Sequence, residues 1–449
     1  MKTPIKFTGT ILLAALAFSS CKKFNQTKVY TANQPVYMSY EDLRSSIQSD
    51  NNRSLVKPGK ILVKDNFVFI NDFETGIHIY NNANPASPQH IGFINIPGNV
   101  DMAVRGNTLY VDSYIDIVAI DISDPTNIRE ATRALNELSY TIPTTIDYNY
   151  PVSEVDRNQG VVSDYKVVEV KETCENNECG SAYYDAVAVN GGNWGGSMMT
   201  DDGTVVNFAD NSNTVRSLSG SLSADAAAGS MARFLLVKGY LYTISDESTV
   251  KVFSLSDNSI SFVTSFNPWS DGWGAGTIET LFLLNNHLLI GSTSGMLAYN
   301  VSDASNPEYV SNYEHMTSCD PVVANSDYAF VTLRSGVDCG RNDINQLDIV
   351  NISEMMSPYL EHSVPMTNPH GLSIDAEKNL LFVCDGESGM NVYNVSNPTS
   401  LRALARRTGD SYDAITSNDI VYVIGDEGLV QYSYTEEGQL TQISTISLD

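Results

Sequence analysis

Basic residues are scarce: 26 Lys and Arg stand against 53 Asp and Glu in 449 residues, a formal net charge of −27. A polyphosphate would approach a repelling surface, so no nucleic-acid partner is expected, and attraction of cations is the milder consequence. Long apolar runs are missing too. Beyond the first residues no 18-residue apolar stretch exists, so no spanning helix is expected and the remainder reads as soluble. The chain also lacks a G-x-S-x-G elbow, an H-E-x-x-H pair and any dinucleotide or phosphate loop, which removes the enzyme classes that those motifs announce. Carboxylates brought together by folding remain open as a hydrolase or lyase site.

What the chain has is one recurring phrase. In LYVDSYIDIVAIDISDP (Leu109 to Pro125) a β-branched and aromatic run meets a polar break at Asp112 and Ser113, then a second run closes in an Asp/Pro turn. Two adjacent strands and their turns give that pattern. Changed copies start at Phe67, Leu241, Leu288, Ala329, Leu380 and Val421, the one at Ala329 carrying an insertion between its strands. Marking the end of each second strand gives Asn81, Asp121, Ser254, Asn300, Asn351, Asn394 and Ser433. Five of the six intervals lie between 39 and 51 residues and the sixth is 133. A period near 40 built of short strands predicts an all-β fold, a seven-bladed β-propeller, because one four-stranded sheet buries its faces only against the next. Residues 131–228 form a long insertion between blades two and three, with room for a degenerate eighth blade.

The phrases DIVAIDISDP, MLAYNVSD and MNVYNVSNP resemble the LVIVD-repeat family of secreted and surface propellers. The stretch from Pro58 to Pro85 resembles the opening blade of lipoproteins of that type found in Bacteroidetes-like bacteria. The resemblance spans roughly 58–449 apart from the middle insertion. It implies a propeller and says little about activity.

The N-terminus carries Lys2 and Lys6, an apolar stretch from Phe7 to Phe18, then small residues before Cys21. This reads as a signal peptide over 1–21 that ends in a lipobox, with Cys21 lipidated. The expected location is the cell envelope, as an outer-membrane lipoprotein on either the periplasmic or the surface face. Residues 22–57 are expected to hold a polar tether and a short helix at Ser39 to Ile47, capped by Ser39 and stapled by Met38 and Leu43. The propeller takes 58–449. Within the insertion, Val161 to Thr173 alternates like a strand, Thr204 to Asp210 is a second candidate, and Ser217 to Ser230 reads as a surface connection. Cys174 with Cys179, and Cys319 with Cys339, are disulfide candidates in an oxidising compartment, whereas Cys384 reads as a buried thiol.

Counting back from each phase mark reaches the start of the innermost strand, occupied by Gly59, Asp101, Ala232 or Arg233, Glu279, Asp320, His370 and Asp413. Asp101, Glu279, Asp320, His370 and Asp413 would then converge on one mouth of the central channel as a ligand-binding funnel. The alternative is that Asp suits strand-initiating turns and bonds its own backbone there. Trp194, Trp269 and Trp273 lie in glycine-rich loops and are candidates for either a recognition platform or rim packing. No cofactor and no confident metal site follow from these residues, although an acidic mouth leaves room for a structural or channel-bound cation. The favoured reading is a non-catalytic envelope propeller that binds or scaffolds a protein or glycan through rim loops. The alternative is a hydrolase or lyase using carboxylates around the channel mouth.

Overall fold

The computed structural model describes residues 26–448 apart from 51–52, 144, 146, 148, 175–196, 200–204, 208–226, 229–231, 257–258, 271–275, 316–320 and 336–343. Seven antiparallel sheets span 58–95, 102–134, 234–266, 278–314, 322–365, 372–407 and 413–446, each adding strands in sequence order from the axis outward. Their inner strands neighbour one another around a ring. This is a seven-bladed propeller.

Burial explains why each phrase forms two central strands. Phe67–Asp72 and Gly76–Asn81 of blade one are buried along nearly their whole length, since both faces of a blade meet a neighbour and only continuous β-branched runs fill both. The cores therefore lie between blades. One joins Leu62, Phe69 and Ile79 of blade one to Met102, Leu109 and Val118 of blade two. Another joins Ile61, Val68 and Ile70 to Ile415, Tyr422 and Ile424 of blade seven. That second core closes the ring without an exchanged strand, helped by a reciprocal buried amide pair in which Asn82 and Gln431 each donate to the other at 2.9 Å.

The phase-mark residues show how each third strand ends. Asn81, Asp121, Asn300, Asn351 and Asn394 each accept the backbone N–H two residues on, at 2.8–3.1 Å. This Asx turn stops the strand before the outer one begins. Blades three and seven carry Ser254 and Ser433 there, and their third strands run on to Ser256 and Tyr434. All seven pairings of third with fourth strand then slip once, a bulge that raises the twist of the outer strand.

Two features depart from the sequence reading. The segment read as a polar tether is a strand from Gln26 to Met38, antiparallel to Val161–Cys174 over the full length of both. It has few apolar anchors of its own, because its partner strand and the loop at 147–153 supply the contacts. Asn33, fully buried, donates its side-chain N–H groups to the carbonyls of Asp147 (2.8 Å) and Tyr150 (2.6 Å), while its backbone bonds Pro151 and Ser153. Tyr165, Ile142, Val152 and Val162 form a small core beneath. Within the insertion, Ile142, Val152 and Val161–Cys174 thus form a satellite module built jointly with the N-terminal segment.

The second departure is blade one, which has six strands. Gln48–Asp50 adds outside Gln89–Asn95, and Ala227–Ala228 pairs with Val63 and Leu62 at the inner edge. The connection read as superficial therefore reaches the propeller's interior at 227–228. Backbone pairing needs no side-chain signature, so a run of small residues hid it. The second strand candidate of the insertion is found at Val205–Asn207, which pairs with Ser197–Met199 as a separate two-stranded sheet.

A helix, Tyr40–Ser45, joins the module to blade two: Ser39 Oγ accepts the Asp42 N–H at 3.0 Å, and Leu43 is buried against Ile115 and Val161. Buried Asp116 fixes it, accepting from Arg44 Nε (3.0 Å), Arg133 Nη1 (3.3 Å) and the Asn136 N–H (2.8 Å). Replacing Asn33 with Ala is expected to loosen this module alone. Losing two buried side-chain bonds costs about 1–3 kcal/mol. Hydrogen exchange should rise over 147–170 in Asn33→Ala while the blades keep their unfolding midpoint.

Candidate functional site

The mouth of the propeller is where linkers between blades reach the inner strands and where second strands end. Three carboxylates near second-strand ends, Asp112 one residue earlier in register than Asp72 and Asp385, have one task in common. Asp72 accepts the Lys57 N–H at 2.7 Å. Asp112 accepts the N–H groups of Val100 (2.8 Å) and Asp101 (2.9 Å), and Asp385 those of Thr367 (2.9 Å) and Asn368 (2.7 Å). Each holds the linker that opens its own blade. The sequence displays them as the polar break of the recurring phrase, FVFIND, LYVDS and LFVCD, but spacing alone does not show what they grip.

Burial pushes Asp112 up to about 6 from its ordinary 3.8, against the bonds from Asp101 and Val100 that pull it down. Its folded value therefore exceeds its unfolded one. The stability it contributes is complete below about pH 4 and is lost as pH rises through about 6, up to ~3 kcal/mol over the span. Asp112→Asn, neutral throughout, is expected to flatten that slope. Thermal midpoints of the two proteins should converge at pH 4 and separate in the variant's favour at pH 8.

Asp101 and Asp413 stand at the start of inner strands, and each is turned to a different neighbour. Asp101 is buried; Oδ1 meets Lys60 Nζ of blade one at 2.6 Å and accepts the Met102 N–H at 2.6 Å. Its Oδ2 accepts the N–H groups of Arg233 (2.5 Å) and Phe234 (2.8 Å), the start of blade three. One carboxylate thus joins three consecutive blades. Asp413, also buried, accepts its own Ala414 N–H at 2.8 Å and lies against Gly371, where a Cβ would come within 2.2 Å of Oδ1. The bonds to Met102 and Ala414 are made at each residue's own strand start, whereas the Lys60, Arg233 and Phe234 contacts of Asp101 cross between blades.

His370 is buried edge-on to Tyr412, with ring centroids 5.6 Å apart and Nε2 without a hydrogen-bond partner. Burial and then the charge of Arg334 drive its pKa down to about 3, so the ring is neutral at physiological pH. Glu279 is half-buried on the inner strand of blade four. Ala227–Ala228 occupies the inner edge of blade one, and Ala232 bridges to Leu281 of blade four. Two short described pieces, at the end of the insertion and just after it, thus meet inner strands, 227–228 that of blade one and Ala232 that of blade four.

Trp269 packs, half-buried, against the core between blades three and four, and its indole N–H is buried without a partner. That placement is a rim-packing one. Asp320, Trp194, Trp273, Cys21, Cys179, Cys319 and Cys339 lie outside the described residues, and only the backbone of Cys174 is described, as the end of its strand. Cys384 is a buried free thiol. Among the described residues no group of three or more His, Cys, Asp or Glu is placed to hold a metal ion.

Sequence reasoning missed an acidic pair between blades six and seven. Asp410 is pushed up by burial first and then by a hydrogen bond and like charge from Asp426, which also accepts from Tyr412 Oη. Nearby Arg407, buried, is spent on Tyr432 Oη (2.8 Å), the carbonyls of Gly409 and Asp410 (both 3.0 Å) and Glu427 (3.2 Å).

The LVIVD repeat family is matched over residues 98–135, the last linker residues and all four strands of blade two. The chain is a repeat-based β-propeller carrying an LVIVD repeat. No curated protein gives a significant match. Among solved structures, the chain is similar to a periplasmic gluconolactonase of Pseudomonas aeruginosa, at 11% identity over 87% of this chain and 96% of that one, TM-score 0.49. It is also similar to a putative 6-phosphogluconolactonase of Bacteroides fragilis (9%, 88% and 96%, TM-score 0.47). BamB of Moraxella catarrhalis is a further likeness (11%, 86% and 98%, TM-score 0.43). Identities this low transfer no activity, since propellers host many unrelated ones.

Proposed function

We propose that the chain is a non-catalytic propeller of the cell envelope, tethered through lipid on Cys21, that binds or scaffolds a protein or glycan at its rim. The observation that carries this reading is on blade five. Met356, Tyr359 and Leu360 are 81%, 53% and 46% exposed at the start of the outer strand Tyr359–Pro365. Large apolar side chains exposed on and just before an outermost strand suit a partner surface. At the mouth, by contrast, Asp72, Asp101, Asp112 and Asp385 are engaged in holding backbone N–H groups. The envelope location is supported by the N-terminal sequence.

The test is affinity capture from intact cells, together with a glycan array, using the form without residues 1–21. Met356→Glu combined with Leu360→Glu should keep the folded spectrum and lose most of the captured protein or glycan signal; unchanged capture would overturn the rim assignment. The hydrolase or lyase reading draws support from one place, Asp410 beside Asp426, two neighbouring carboxyl groups of which Asp410 is pushed up by burial and then by its neighbour. An activity found in the parent and abolished in Asp410→Asn would favour it.

A further inference from the structure

Blade one carries two histidines that its fold does not require. His78 is fully buried on the third strand, at the place where blades two, four and seven put Val118, Leu297 and Val430. An imidazole there must be desolvated, a cost that an aliphatic side chain avoids. His90 comes from the outer strand. The bulge between Ile79 and Tyr80 sets it opposite Tyr80 and diagonal to His78, so both rings share one face. His78 Nδ1 and His90 Nε2 lie 3.1 Å apart. On its other side His78 Nε2 has no hydrogen-bond partner and faces Asp72 Oδ2 at 3.8 Å.

We propose that His78 and His90 together bind one divalent transition-metal ion of the imidazole-preferring class, zinc, copper or nickel, with Asp72 orienting His78 from behind. Two ligand nitrogens about 2.0–2.1 Å from a tetrahedral ion stand about 3.3–3.4 Å apart, close to the separation found. A metal-binding histidine ordinarily turns its second nitrogen toward a carboxylate, which fixes the tautomer and leaves the first nitrogen's lone pair free. Asp72 stands where that carboxylate belongs. The ring of His78 is held by Phe93, with centroids 4.7 Å apart, and His90 rests on Tyr80 at 5.0 Å. His90 is exposed, so an ion reaches the pair from solvent, and water completes its coordination. A net charge of −27 favours accumulation of the cation.

The competing arrangement is a direct hydrogen bond between the two imidazoles with no metal. Calorimetric titration of the purified, metal-stripped protein with zinc, copper and nickel chloride separates the two. One equivalent should bind, and His90→Ala, a change at an exposed position, should weaken that binding at least tenfold with the circular dichroism unchanged. Asp72→Asn should weaken it tenfold or more through misorientation of His78. His362→Ala, remote on blade five, should leave it unaltered. With copper(II), electron paramagnetic resonance should report two coordinated imidazoles in the parent and one in His90→Ala. Absence of a one-equivalent site in the parent, or affinity and spectrum unchanged in His90→Ala, overturns the proposal and leaves the pair a simple hydrogen bond.

Discussion

Lys60→Met is expected to cost about 3–5 kcal/mol, read as a fall in the urea midpoint at constant slope, because it removes one partner of a buried ion pair. Lys60 and Asp101 have side chains 0% and 1% exposed and meet at 2.6 Å. Without the ammonium, Asp101 keeps the N–H groups of Met102, Arg233 and Phe234, but its charge has no counterion. Combining Lys60→Met with Asp101→Asn should therefore recover part of the loss, since it removes the uncompensated charge and the amide oxygen can still accept the Arg233 and Phe234 N–H groups, while the Met102 N–H loses its acceptor. A single-variant loss below about 1 kcal/mol would mean that those N–H groups alone suffice, as they do for many carboxylates at helix N-termini. The expected size also measures how firmly three blades are joined, because the same carboxylate spans blades one, two and three.

The number of blades was legible because central strands are buried on both faces and must be written as apolar runs, a signal that survives every change of letter. Outer strands were not. Arg129–Ala134 and Arg402–Arg407 are only partly buried and alternate weakly, so only the Asx turn ahead of them marks where they begin. The strand Gln26–Met38 was illegible for another reason. Its order comes from a partner more than 120 residues away and from the bonds of Asn33, neither of which leaves a local period. Alternation in Val161 to Thr173 did announce the partner strand, without saying what it pairs with.

The candidate site divides in the same way. Offsets from the repeat placed Asp101, Asp413 and His370 at strand starts correctly, since a repeat conserves position along the chain. Which way a side chain turns is set by its neighbours, and Lys60, Arg233 and Gly371 occupy the places that decide it. His78 and His90 sit twelve residues apart in a strand and its successor, and a one-residue bulge is what brings their rings together. Register, unlike periodicity, cannot be counted from sequence once a bulge intervenes.

Gly76→Ala is expected to destabilise by about 3 kcal/mol, the upper end of what forced overpacking costs. Gly76 opens the third strand of blade one at φ +151°, and an added Cβ would stand 2.0 Å from the carbonyl oxygen of Ile94 and 2.7 Å from the ring of Phe93. Backbone, unlike a flexible side-chain end, cannot swing aside. Gly428 is under the same constraint, with an added Cβ 2.1 Å from the Ile446 carbonyl oxygen, so a glycine opening the third strand records how closely the outer strand approaches. Gly106→Ala is the control. It has φ +57° and open space around the added methyl, so it should lose only about 1–2 kcal/mol, the left-handed backbone penalty. Urea midpoints of the two variants isolate the steric part, and equal losses would show that the Ile94 carbonyl can yield. Because Phe93 packs on His78, a shift of that outer strand should also disturb the His78–His90 pair. Gly76→Ala is therefore expected to weaken zinc binding while Gly106→Ala leaves it unchanged.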